Sequence, residues 1–168
     1  MDREELRARQ APLKQHYLDQ PDAALVTLRA TGNLGEGVSC SVQGGRAIAE
    51  AGLHPATGGD GSLLCSGDML LEALVACAGV TLRAVATSLG ISVASGGVRA
   101  EGDLDFRGTL GVDREAPVGF AAVRLPFDLD TDADEEQLAT LLSLTERYCV
   151  VYQTLAGAPA LATSLTHS

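Results

Sequence analysis

One run, Ser66–Leu89 (SGDMLLEALVACAGVTLRAVATSL), constrains the fold of this chain more than any other segment. Ser66 is a candidate N-cap with Asp68 in the first turn, and Gly90 is a C-terminal stop. Between Met69 and Val80 only Glu72 is charged, so the predicted helix is apolar on every face and should be largely enclosed, with Gly79 as a kink point. A chain of 168 residues has little material to wrap such a helix, which points to a dimer formed around it. Cys77 sits near its middle, and a second thiol, Cys149, lies far downstream in another apolar stretch, ERYCVVYQTL.

Composition narrows the partners. Apolar residues make up 46% of the chain but aromatics only 4%, so the core must be built from Leu, Val and Ala. The formal charge of −10, with a single lysine, argues against nucleic acid and against an acidic membrane surface. MDREELRARQ is charged where a secretory signal would turn apolar, and Met69–Leu82 is too short for a membrane span, so the expected location is the cytoplasm. In that reducing compartment thiol pairs are more often catalytic or redox-sensing than structural.

Residues 1–21 read as a charged arm, partly helical and interrupted by Pro12, ahead of one domain over 22–168. A strand is expected over Ala24–Thr31, and a hairpin over Val38–Val42 and Arg46–Ala51. HPATGGDGS is a loop. After the central helix, Ile91–Phe106 reads as one strand or two with a turn or bulge at Gly96-Gly97, and Gly119–Thr131 as one strand held to an edge or bulge position by Pro126. Asp132-x-x-Glu135 resembles a capping box for a helix that continues through Cys149 to Ala156, with a short strand from Leu161 to Leu165 at the end. The order β-β-β-α-β-β-α-β is an α+β arrangement with long helices on a mostly antiparallel sheet.

A free thiol has a pKa of about 8.5, and burial in an apolar helix raises it. Cys77 is therefore a small core residue unless a cation or several donors face its sulfur. If the helix starts at or before Cys65, that residue lies about 18 Å from Cys77 along it, beyond disulfide reach. Cys40 belongs to an expected strand of unknown position, whereas Cys149 on a packed helix is the better-placed partner. The cysteines show no C-x-x-C and no nearby histidine, so no zinc site and no other metal or cofactor is expected. The acidic run Asp128, Asp130, Asp132, Asp134, Glu135 and Glu136 lacks the EF-hand order and reads as a solvated turn. The glycine-rich GGDGS and GNLGEG lack phosphate-loop chemistry and read as turns.

The segment LLCSGDMLLEALVACAGVTLRAVA, with GGDGS before it and ERYCVVYQTLAG after it, resembles the OsmC/Ohr family (osmotically inducible protein C-like and organic hydroperoxide resistance proteins) over roughly residues 22–166. The resemblance implies the OsmC-like fold, a long buried central helix in an intertwined homodimer. It also implies a thiol peroxidase acting on organic hydroperoxides in oxidative-stress defence, with Cys77 as the peroxidatic cysteine and Cys149 as the resolving one. A dithiol reductant, either a small thiol or a lipoylated or thioredoxin-like protein, would reopen their disulfide. The family places an arginine beside the sulfur, held by a carboxylate about ten residues before the cysteine. Here Asp68 is the candidate carboxylate, one residue late, with Glu72 behind it. Arg46 is the first candidate cation, Arg29 the second and His54 a remote third, while Arg83 and Arg147 are expected to turn away. The family's Pro before the carboxylate and its Pro after the second cysteine are both replaced, by Ser66 and Val150. These departures favour, as the alternative, an OsmC-like protein with little peroxidase activity that binds a small lipophilic molecule or senses thiol oxidation.

Overall fold

The computed structural model describes residues 2–20, 31–34, 39–44, 47–111 and 113–167. The expected strand over Ala24–Thr31 falls largely outside them, as do Arg29 and Arg46. The chain opens with α1 (Arg3–Asp19), whose N-cap Asp2 accepts from the Glu5 amide. α1 passes through Pro12 rather than being interrupted there. A proline deletes one ladder hydrogen bond, and the capped first turn, with Glu4 and Glu5 favourably placed, sustains the helix.

β1 (Thr31–Leu34), β2 (Ser39–Gly44), β3 (Ala47–Gly52) and β4 (Leu64–Cys65) form one sheet in that order. β1–β2 and β2–β3 are antiparallel, so the expected hairpin forms, with Ser39 opposite Gly52 and Gly44 opposite Ala47; β3–β4 is parallel. β4 runs directly into α2 (Ser66–Leu89). The N-cap is Cys65, not Ser66, and it makes no side-chain cap bond. α2 continues unbroken through Gly79, where an added Cβ would meet Val98 at 3.4 Å, so the glycine lets the next strand approach closely. Gly90 ends the helix at φ +75° in the left-handed region, as its sequence position predicts.

β5 (Ser95–Val98) pairs antiparallel with β8 (Phe127–Asp130), and β6 (Glu101–Leu104) with β7 (Phe120–Arg124). Gly96 and Gly97 thus lie inside a strand, opposite Leu129 and Asp128, instead of forming a turn. A Cβ on Gly96 would come within 2.7 Å of the Asp128 carbonyl, so this close cross-strand approach requires glycine. The bulge falls elsewhere, at Asp103/Leu104. The expected single strand over Gly119–Thr131 is two, divided at Leu125-Pro126, because proline cannot donate to a ladder. Between the pairs lies the short α3 (Phe106–Thr109).

α4 (Glu135–Tyr148) opens on Asp134, two residues later than expected. The Asp134 carboxylate accepts from the Gln137 amide at 2.8 Å, and the Gln137 side chain accepts from the Asp134 amide at 3.0 Å, a complete capping box. The helix does not continue through Cys149. It ends there, and α5 (Val150–Gly157) starts afresh. Cys149 adopts an extended conformation (φ −75°, ψ 109°); its amide donates to the Thr145 carbonyl and its carbonyl accepts from the Gln153 amide, both at 2.9 Å. Residues 158–167 pair with no strand among the described residues and take no regular structure, so the expected final strand is absent there, and Leu161 and Leu165 are exposed.

The core lies on one stripe of α2. Leu74, Ala78, Leu82, Val85 and Ala86 recur at helical spacing and are buried, the lower ones with Leu141 of α4 and the upper ones with Cys149. The expected enclosure of α2 fails within one chain. Val80 is 73% exposed, and Leu70 and Leu89 are also open to solvent. By length and composition alone α2 would pass for a membrane span, yet it packs against α1, α4 and α5 and carries Asp68, Glu72 and Arg83.

Candidate functional site

The break between α4 and α5 builds the site. α2 presents Leu74, Cys77 and Ala78 toward that break, and Cys149, 1% exposed, packs into the same cluster with Val151 and Tyr152. The two distant thiols are therefore brought together, and both are free. Ala78, with no exposed surface, is the close-contact point that lets α5 approach α2.

Because α5 starts at Cys149, its first amides lack intrahelical acceptors and carry the positive end of the helix dipole. The Val150 and Val151 amides favour the charged form of Cys77, and the Val151 and Tyr152 amides that of Cys149. Burial pushes the Cys77 thiol up, but the Val151 amide, the Cys149 thiol, the Val150 amide and the Thr81 hydroxyl outweigh it, and the net shift is downward. The Cys149 thiol is pushed the other way. Burial raises it first, the Tyr152 amide opposes, and the hydrogen bond and charge of Cys77 raise it further. The pair is thus polarised, with the charged form favoured at Cys77 and disfavoured at Cys149.

Arg46 and Arg29 lie outside the described residues, and the other candidates separate from this pair. Asp68 and Glu72 are exposed on α2, and neither is ion-paired with a described residue. None of the groups acting on Cys77 is an arginine of the described residues. Arg83 donates to the Val93 carbonyl at 2.7 Å, and Arg147 lies over the Tyr148 ring, so both are turned to other partners as expected. His54 stacks on Phe106 and accepts the Ala56 amide at Nδ1. It lines a separate cleft with Cys65, not with Cys77. Asp134, from the acidic run, caps α4.

Sequence reasoning missed two features. The first is the helix break, whose only local signal is the β-branched pair Val150-Val151, poor at continuing a helix. The second is a cleft of about 650 Å³ that reaches Cys149, walled by Leu70, Leu74, Phe120, Leu125 and Tyr152, with Thr145 and Glu146 at its polar side. It joins residues from five elements and has no linear signature.

The comparisons with known proteins agree with this architecture. No curated protein sequence matches the chain. The chain is similar in structure to an OsmC-like protein from Mycoplasma pneumoniae, at 17% identity and a TM-score of 0.65 over 79% of this chain and 89% of that one. An organic hydroperoxide resistance protein from Elizabethkingia anophelis superposes at 18% identity and a TM-score of 0.63, covering 80% and 91%. One from Legionella pneumophila does so at 19% and 0.62, covering 80% and 92%. At these identities the likeness establishes the α+β OsmC-like fold. The family model described as OsmC-like protein matches residues 59–164, most of the chain and both thiol-bearing helices, so this chain belongs to the OsmC-like protein family.

Proposed function

We propose that the chain is a thiol peroxidase that reduces organic hydroperoxides through Cys77. The observation that carries this is that Cys77 and Cys149 pack in one cluster at the start of α5, with the Cys77 thiol shifted down and the Cys149 thiol up. The Cys77 thiolate attacks the distal peroxide oxygen, the O–O bond breaks, and the alkoxide leaves and takes a proton as the alcohol. Cys77 is now a sulfenic acid. The Cys149 sulfur displaces its hydroxyl as water, closing a disulfide. A dithiol then reduces that disulfide by two exchanges, restoring both thiols and leaving as its own disulfide. Arg46 and Asp68 belong to this proposal in the roles the resemblance gives them, the cation beside the sulfur and the carboxylate that holds it. The apolar cleft beside Cys149 suits an alkyl or aryl group better than hydrogen peroxide.

A homodimer is part of the same proposal. An apolar helix with Val80 73% exposed, close in the chain to the partly exposed Cys77, leaves a large uncovered face, and a second copy offers a matching one. Val80→Arg is expected to convert the protein from dimer to monomer in sedimentation at micromolar concentration; a wild-type monomer would contradict the assembly.

The direct assay is steady-state reduction of an alkyl hydroperoxide by a small dithiol, with Cys77→Ser as the reference variant. Turnover by the wild-type chain supports the proposal. The cleft also favours a second possibility, a binder of small lipophilic molecules, which would show saturable ligand binding and no turnover.

A further inference from the structure

Two clefts meet at one aromatic ring. The first is the cleft of about 650 Å³ that reaches Cys149; the second, of about 400 Å³, is walled by Leu53, His54, Cys65, Leu104 and Phe106. Leu70, Gly119 and Phe120 line both. Of these three only Phe120 is bulky and half-buried; Leu70 is exposed and Gly119 has no side chain. Two glycines build the seat of its ring. Phe120 on β7 pairs with Leu104 on β6, next to the register shift at Asp103/Leu104, and the ring lies over Gly102, where a Cβ would run into it. The tip of the ring reaches the first turn of α2. A Cβ on Gly67 would lie 3.5 Å from both the Phe120 Cζ and the Cys65 Sγ. The ring therefore spans from the β6–β7 pair to α2, with one cleft on each side.

We infer that Phe120 is a specificity-determining residue, a partition that confines the organic group of a ligand to the cleft beside Cys149 and closes the Cys65 cleft to it. The class this favours is compact, a branched alkyl or single-ring aryl group. An unbranched chain would have to pass the ring to bury its far end. Phenylalanine suits the role because its side chain turns about two torsions only, and backbone at Gly102 and Gly67 limits both. The inference rests on the proposed entry of the organic group into the cleft at Cys149.

The test is an NMR titration of the full reduced chain, methyl-labelled on leucine, with 2-phenyl-2-propanol (one ring on a branched carbon) and 1-octanol (an unbranched chain). In the wild-type chain both alcohols should shift the Leu74 and Leu125 methyls and leave those of Leu53 and Leu104 in place. Phe120→Ala should let 1-octanol shift Leu53 and Leu104 as well and bind about tenfold tighter, the gain from burying about two more methylenes. Its affinity for 2-phenyl-2-propanol should stay within about twofold of wild type. Gly102→Ala keeps the ring but occupies its seat, and should produce the same new shifts, so the test stands even if Phe120→Ala fails to fold. Shifts at Leu53 and Leu104 in the wild-type chain would overturn the assignment, since the clefts would then communicate with the ring in place. Equal gains for the two alcohols, no change in the folded variants, or no saturable binding of either alcohol would also overturn it. The readout needs no peroxide. A chain that binds the alcohols with this selectivity but turns over no hydroperoxide would remove the proposed activity and leave the partition.

Discussion

Replacing Cys77 with serine is expected to abolish hydroperoxide-dependent oxidation of a dithiol, a fall of about a thousandfold or more in turnover. The step depends on a thiolate, and a serine hydroxyl at the same place remains protonated whatever donors surround it. The α5 amides and Thr81, which favour a charged sulfur, would face a neutral oxygen. Cys149→Ser should behave differently. Attack on the peroxide needs only Cys77, so the first turnover survives and the sulfenic acid persists, open to trapping by dimedone. Retained multiple turnover in Cys77→Ser would remove Cys77 from the chemistry, and a Cys149→Ser protein that still closes an internal disulfide would remove Cys149.

The second large effect is on stability. Leu74 is 1% exposed and packs on the same cluster as Ala78 and Cys149, so Leu74→Ala leaves a cavity where α2 meets α5. The expected cost is about 3 kcal/mol, lowering the melting temperature by about 10 °C in a chain of this size. Because Leu74 also walls the cleft, the cavity opens into it and exposes Cys149. Alkylation of Cys149 should therefore accelerate in the folded variant. A loss under about 1 kcal/mol, measured by denaturant unfolding, would mean that the helices close over the gap.

Much of the architecture was legible in the chain because it is written locally. The central helix is an apolar run with a glycine stop, and the hairpin before it is two short runs separated by a glycine pair. Helix packing made Cys149 the better-placed partner of Cys77 in the sequence, but only the resemblance to a family gave the two thiols their roles, since no spacing rule places two helices against each other. Expectations failed where tertiary geometry overrides a local pattern. Asp132-x-x-Glu135 and Asp134-x-x-Gln137 are equally good capping boxes on paper, and the structure uses the second. Gly96-Gly97 has the composition of a turn, but the approach of Asp128 requires glycine inside a strand. The enclosure of α2 failed for a different reason. An apolar helix must be covered, but its sequence does not say whether the cover comes from the same chain or from another. The break at Cys149 was least legible of all, and it does most for the site by placing unpaired amides at the two sulfurs.

Cys77 and Cys149 are proposed to act as one redox pair. The most direct test of this is intact-protein mass and thiol counting after one equivalent of an alkyl hydroperoxide, without reductant. The expected result is the loss of two thiols and two mass units per chain, with both sites mapped to a Cys77–Cys149 disulfide and Cys65 still alkylatable. Four thiols retained per chain, or a disulfide that includes Cys65 or Cys40, would contradict it.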